Sequence, residues 1–201
     1  MFGSKYAHVE RERRFLVSDL PPSEPWAQRK IKDLYIEGTR IRLRLSEGVV
    51  AGKPEVARKL TQKLPDPEAV GGRRGTITTM YLDHVEYERL SQLPGRWLTK
   101  QRLSFPPMGV DVFESPLAGL IVAEVEFNDD AVMDSFVAPS WCGIEVTERV
   151  SFSGANLAHI AALAPGDAAK ELAALFRSAT AASHPGHDAP TGHGGRLQPN
   201  G

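Results

Sequence analysis

The sequence predicts a mainly β member of the α+β class, a closed or sandwiched sheet with flanking helices. Two observations predict it. Most of the first 128 residues divide into short segments of strand character, each bounded by Pro, Gly, Asp or Ser. After residue 153 the chain turns Ala- and Leu-rich and takes helical spacing. A third observation bears on closure. Charges alternate with apolar residues along several strands, and their signs are segregated by strand. Solvated sheet faces normally mix signs. The ordinary alternative is a half-exposed sheet, apolar inside and charged outside.

The strand candidates are 8–17, 32–37, 39–46, 55–64, 74–82, 96–105, 109–114 and 119–128. About eight strands suffice for a sandwich or a barrel. Residues 83–93 break the pattern. Asp83 suits an N-cap, and Val85, Leu90 and Leu93 have rough helical spacing. Residues 129–136 form another short helix candidate with an acidic first turn. Helices are expected at 156–163 and 167–182, the second capped by Asp167 after Pro165-Gly166. Residues 5–180 make one domain. Residues 183–201, rich in Ser, His, Pro, Gly and Asp, are expected as a disordered tail that carries His184, His187 and His193 solvated.

Composition limits the function. The 201 residues carry 24 basic and 25 acidic side chains, a net charge of −1. Bulk charge therefore gives no support for nucleic-acid binding, and any cationic site is a local concentration. The single cysteine, Cys142, excludes an intrachain disulfide and a cysteine-rich zinc site. No apolar run reaches about 18 residues, and the N-terminus lacks a signal-peptide core. The expectation is a soluble, cytoplasmic protein.

Near the N-terminus, Glu10, Glu12 and Arg14 alternate along one strand and share a face. Carboxylates two residues apart stand about 7 Å from one another, within reach of one divalent cation or two adjacent ones. Glu124 and Glu126 repeat the spacing in the apolar run Leu120–Phe127. Each acid pair has two readings. It holds Mg²⁺ or Mn²⁺, which prefer oxygen ligands, or it pairs with arginine, as buried charges usually do. Cations alternate along Arg40, Arg42 and Arg44, along Lys59 and Lys63, and along Lys100 and Arg102. Metal, anion and strand together point to a phosphorylated substrate.

These residues carry a resemblance. Glu10-x-Glu12-x-Arg14 resembles the ExExK signature of the CYTH superfamily, the triphosphate tunnel metalloenzymes. Arg42-x-Arg44 resembles its RxR strand, Leu60-Thr61-Gln62-Lys63 its LTxK strand, and Lys100-Gln101-Arg102 its KxR strand. Val110–Phe113 with Leu117–Phe127 matches well, and Glu145-Val146-Thr147 with Asn156-Leu157-Ala158 resembles a late segment. The likeness covers about residues 8–162. It implies an eight-stranded antiparallel β tunnel with flanking helices. It implies that Arg14, Arg42, Arg44, Lys63, Lys100 and Arg102 hold a triphosphate. Glu10, Glu12 and Glu126 would hold Mg²⁺ or Mn²⁺, with Glu124 and Asp111 nearby. Lys100, which would assist the leaving phosphate, and Glu126 are the implied catalytic pair.

Two departures stand out. Arg14 replaces the usual lysine, and the family's RxExE strand reads Arg74-Gly75-Thr76-Ile77-Thr78, with Thr76 and Thr78 taken as replacing two carboxylates. The implied activity is metal-dependent hydrolysis of inorganic tripolyphosphate or a related organic triphosphate. The alternatives are a class IV-type adenylate cyclase, or a low-activity polyphosphate- or nucleotide-binding protein. The expected partners are a small-molecule triphosphate and, at most, a second copy of the chain in a homodimer; no nucleic acid and no membrane are expected.

Overall fold

A computed structural model describes residues 6–50, 52–66 and 74–181. Eight strands run β1 His8–Leu16, β2 Ala27–Ile36, β3 Ile41–Val50, β4 Lys53–Pro65, β5 Arg74–Tyr81, β6 Gly95–Phe105, β7 Met108–Phe113 and β8 Ile121–Glu126. The helices are α1 His84–Leu90, α2 Asp130–Ser135, α3 Gly154–Ala161 and α4 Pro165–Ala181, with a 3₁₀ turn at Val150–Phe152. The strands close into a barrel in the order β1-β5-β4-β3-β2-β6-β7-β8, and every pairing is antiparallel. Closure leaves no edge strand. Among the described residues no helix is long and apolar enough to cross a membrane.

All eight strand segments read from the sequence are present, with ends shifted by a few residues. The largest shift is in β2, which starts at Ala27 instead of residue 32. Gln28-Arg29-Lys30 lacks apolar alternation, yet β3 and β6 pair with it on both sides. At the β2–β3 turn Gly38 takes a φ of 69°, a left-handed conformation that glycine adopts without steric cost. Asp83 caps α1 in a full capping box with Glu86. α4 corrects the expectation that Asp167 is its cap. It begins at Pro165, and the Ala164 carbonyl accepts from the Ala168 N–H at 2.9 Å. Proline fits a first helical position because its missing N–H has no partner there. Asp167 lies in the first turn and pairs with Lys170. The tail expected at 183–201 lies outside the described residues.

The barrel is inverted relative to an ordinary sheet, because its polar faces point inward. Registers propagate consistently around the ring. Glu12 opposes Glu126, Arg14 opposes Glu124, Arg102 opposes Asp111 and Asp33 opposes Arg44. Directly opposed residues share a face, so all of these line one lumen. Two patches of the outer face are apolar and covered. Leu34 and Leu43 pack with Tyr87 of α1. Phe15, Leu103, Val110 and Ala123 pack beneath Phe136, Ala138 and Trp141.

One end of the lumen is apolar. There the lumen-facing series on β1, β6, β7 and β8 reaches Leu16, Leu98, Phe113 and Val122, which pack against Phe152, Leu157, Leu172 and Leu175. The 3₁₀ turn, α3 and α4 thus form a cap.

Candidate active site

Among the described residues, three clusters of opposite charges on the lumen face hold most of the sequence candidates, and Arg29 pairs with Glu55 on the same face. In the first, Lys63 on β4 pairs with Glu10 and donates to Glu12 Oε1 at 3.0 Å, both on β1. Burial raises the Glu12 carboxyl above its ordinary value. Lys63 pulls it back, and the carboxylates of Glu124 and Glu10 push it up further. Burial alone would lower the Lys63 ammonium, but Glu12 and Glu10 outweigh that and raise it.

In the second cluster Asp111 on β7 is fully buried. It accepts from Arg102 Nε at 2.7 Å and Nη2 at 2.6 Å, and from Lys100 Nζ. Arg102 Nη2 also reaches Glu124 on β8. Burial would raise both carboxyls. Arg102 and Lys100 overcome it and hold Asp111 well below the usual range, and Arg102 likewise lowers Glu124.

In the third cluster Arg42 and Arg44 were legible in the sequence, but the carboxylate that joins them was not. Asp33 on β2 is fully buried and accepts from Arg44 Nε at 2.6 Å and Nη2 at 2.7 Å. Arg42 Nε lies 3.7 Å from the same carboxylate. Burial would raise Asp33, and Arg44 with Arg42 holds it below its ordinary value. The one available signal was period two: Asp33 shares a face with Ile31 and Tyr35 in a strand whose other face carries Leu34. A single acid among mixed neighbours gave nothing to separate it from a solvated residue.

The guanidinium geometry has a chemical consequence. Arg44 and Arg102 both spend Nε and Nη2 on a buried carboxylate. Each keeps Nη1 without a hydrogen-bond partner among the described residues. The carboxylates thus orient the two arginines and leave each a donor for an incoming oxyanion.

The structure sorts the remaining sequence candidates. Glu126 faces Glu12 across β1–β8 and makes no ion pair among the described residues. Arg14 faces the lumen but is engaged elsewhere. Its Nη1 donates to the Phe152 carbonyl at 3.0 Å and its Nη2 to the Thr147 carbonyl at 2.9 Å, while its Nε lies 3.7 Å from Glu12. In this state it ties the cap to the barrel wall instead of offering its guanidinium to a ligand. The fork of Arg fits two divergent carbonyls, which a lysine ammonium would not span in the same way.

Thr76 and Thr78 do not occupy the positions of missing carboxylates. Gly75 opposes Glu10, Ile77 opposes Lys63 and Thr79 opposes Thr61. Those three β5 residues, with Tyr81, face the lumen. Thr76 opposes Val9, a half-exposed outer residue, so Thr76 and Thr78 point outward. A one-residue shift in reading the strand exchanges its faces. The departure remains, at different residues: the lumen face of β5 carries no carboxylate.

Glu10, Glu12, Glu124, Glu126 and Asp111 all face the lumen, but no three acidic, His or Cys groups converge to hold a metal among the described residues. Four of the five are paired with Lys63, Lys100 or Arg102. The donor set nevertheless suits a hard divalent cation, since it consists of carboxylate oxygens. The raised Glu12, crowded by Glu10 and Glu124, is a carboxyl that a cation would relieve.

The inorganic triphosphatase of Nitrosomonas europaea is 30% identical to the chain over 160 residues, which span 75% of this chain and 97% of that protein. The crystal structure of the inorganic triphosphatase NE1496 is 27% identical, covers 74% of this chain and 93% of its own, and superposes with a TM-score of 0.48. The PH1819 protein from Pyrococcus horikoshii OT3 is 18% identical, with 62% and 82% covered and a TM-score of 0.42. No family model matches the chain.

Proposed function

The chain belongs to the inorganic triphosphatase family of its Nitrosomonas relative, and on that premise we propose that it hydrolyses inorganic tripolyphosphate, or a related organic triphosphate, inside the barrel. The finer assignment we propose is the CYTH superfamily of triphosphate tunnel metalloenzymes. The observation that carries the reading is the pair of carboxylate-oriented arginines. Arg44 and Arg102 each keep Nη1 for a phosphate oxygen in a lumen otherwise built of ion pairs.

Arg42, Arg44, Lys63, Lys100 and Arg102 offset the substrate's negative charge. Asp33 and Asp111 stay in place and hold the guanidinium planes. A polyanion competes with Glu10 and Glu12 for Lys63, and a carboxylate so released would be free to hold a divalent ion. Glu10, Glu12 and Glu126 would hold Mg²⁺ or Mn²⁺, with Glu124 and Asp111 beside them. When bound, that ion supplies charge neutralisation on the phosphate oxygens. Water attacks the terminal phosphorus in line and the bridging P–O bond breaks. Lys100 Nζ, buried against Asp111 with the Phe113 ring at 5.5 Å, would stabilise the oxygen of the departing pyrophosphate.

The test incubates the protein with tripolyphosphate, ATP or thiamine triphosphate and Mg²⁺ or Mn²⁺, and measures phosphate, pyrophosphate and cyclic AMP. Phosphate release from tripolyphosphate, abolished by a chelator, is the expected result. Cyclic AMP from ATP would establish the cyclase reading. Tight binding without turnover would establish a binding protein, the reading that the carboxylate-free lumen face of β5 favours. Glu10→Gln should weaken the metal titration while keeping the fold, because the amide is isosteric and uncharged. An unchanged titration in that variant removes Glu10 from the metal set.

β5 gives a sharper test of the lumen assignment. Ile77→Glu places a carboxylate opposite Lys63 and beside the lumen acids. It should tighten divalent-ion binding by about ten- to a hundredfold, the scale of one charge-assisted contact. Thr76→Glu with Thr78→Glu, on the outer face, should leave metal affinity within about twofold. Calorimetric titration of the ion distinguishes the two, and the reverse ranking would put the other face of β5 inside.

A further inference from the structure

The cap touches the lumen at a second place besides Arg14, and this contact has no role in the chemistry described so far. Tyr35 on β2 stands directly opposite Arg42 on β3, so the two side chains share the lumen face, with the phenol beside the guanidinium. The ring packs on the cluster formed by the cap. Burial, with Asp33 close by, raises the phenol above its ordinary value, so the hydroxyl stays neutral. Arg42 has only a long contact to Asp33, at 3.7 Å, whereas Arg44 is held bidentately. Arg42 therefore depends on Tyr35 for its aim more than Arg44 depends on any neighbour but Asp33.

What holds Tyr35 is the first residue of α3. A Cβ at Gly154 would fall 1.9 Å from the Tyr35 hydroxyl oxygen and 2.9 Å from the ring carbon Cζ. No other residue type fits there without displacing the ring. The segment 147–154 thus meets one lumen arginine directly and the neighbour of a second. Its Thr147 and Phe152 carbonyls receive Arg14, and its Gly154 backbone backs the phenol that stands beside Arg42.

We propose that Tyr35 is a positioning residue that aims Arg42 at the substrate's phosphates, with Gly154 of the cap as its seat. The inference rests on the triphosphate reading of the lumen and deepens it. It makes the cap part of the phosphate grip as well as a plug. Removing the hydroxyl loosens Arg42 without removing its charge. The loss falls on ground-state and transition-state binding alike, so KM rises while kcat stays.

The test compares wild type, Tyr35→Phe, Gly154→Ala and the double variant. Tripolyphosphate affinity is read by calorimetry, KM and kcat by phosphate release, and folding by thermal unfolding. Tyr35→Phe should raise Kd and KM about tenfold, the lower end of the scale for a hydrogen bond to a charged group, with kcat within about twofold. Gly154→Ala should do the same by pushing the ring. The double variant should be no worse than Tyr35→Phe by more than about twofold, because both changes act through one contact. A wild-type Kd in Tyr35→Phe overturns the proposal even if Gly154→Ala fails to fold. So do effects that multiply in the double variant. A wild-type protein that binds no triphosphate removes the functional reading and this inference with it, whereas normal wild-type binding with an indifferent Tyr35→Phe removes this inference alone.

Discussion

Asp33→Ala is expected to destabilise the protein by about 3–5 kcal/mol, the scale for stripping one partner from a buried ion pair. Asp33 is fully buried, and without it the Arg44 and Arg42 guanidiniums face each other in the lumen wall with no carboxylate between them. Urea unfolding would report the loss as a lower midpoint with an unchanged slope. The pH dependence follows from the sign of the shifts. Asp33 and Asp111 both lie below their ordinary values in the folded protein. Their contribution is therefore complete above the unfolded carboxyl value of about 4, and it is lost as pH falls towards the folded values. The wild type should lose stability steeply on acidification below about pH 4, and Asp33→Ala should flatten that limb. A variant as stable as wild type, with the same acid profile, would mean that Arg42 and Arg44 are solvated and that the lumen is not closed around Asp33.

Lys100→Ala should have the largest effect on turnover. Its ammonium is buried on Asp111, which retains two bonds from Arg102 when the lysine is gone. The barrel therefore keeps its pairing at that point. On the proposed mechanism, what disappears is the ammonium assigned to the leaving phosphate, and removing such a group costs about a hundred- to a thousandfold in kcat. The rise in KM should be smaller, since Arg42, Arg44, Lys63 and Arg102 remain to bind the polyanion. Steady-state phosphate release at saturating tripolyphosphate separates the two quantities. A variant with wild-type kcat and a raised KM would make Lys100 a binding residue and leave the departing oxygen to another group.

Much of the site was legible because period-two alternation writes a strand's two faces directly into the sequence. Arg42 with Arg44, Lys100 with Arg102, Glu10 with Glu12 and Glu124 with Glu126 each announced a shared face, and the registers put all of them in the lumen. β5 failed for the same reason that the others succeeded. A strand with Thr on both faces offers no polarity to say which one is inside, so the choice depended on an alignment that was off by one residue. Asp33 and Tyr35 were missed because neither has a like-charged partner two residues away.

The local sequence determined the strand segments, the Asp83 cap and the alternation of charge, because propensity, capping and periodicity act over a few residues. Which carboxylate meets which cation was decided only by closure. Lys63 finds Glu12 from 51 positions away and Arg14 reaches Phe152 from 138. Such pairs depend on register summed around eight strands and on where the cap docks, and no local rule contains either. The same closure gives Glu10, Glu12 and Glu124 a lysine or arginine partner and leaves Glu126 outside any ion pair among the described residues. Burial makes an uncompensated carboxylate too costly to leave alone, and in the described structure the nearest compensation is a cation on a neighbouring strand.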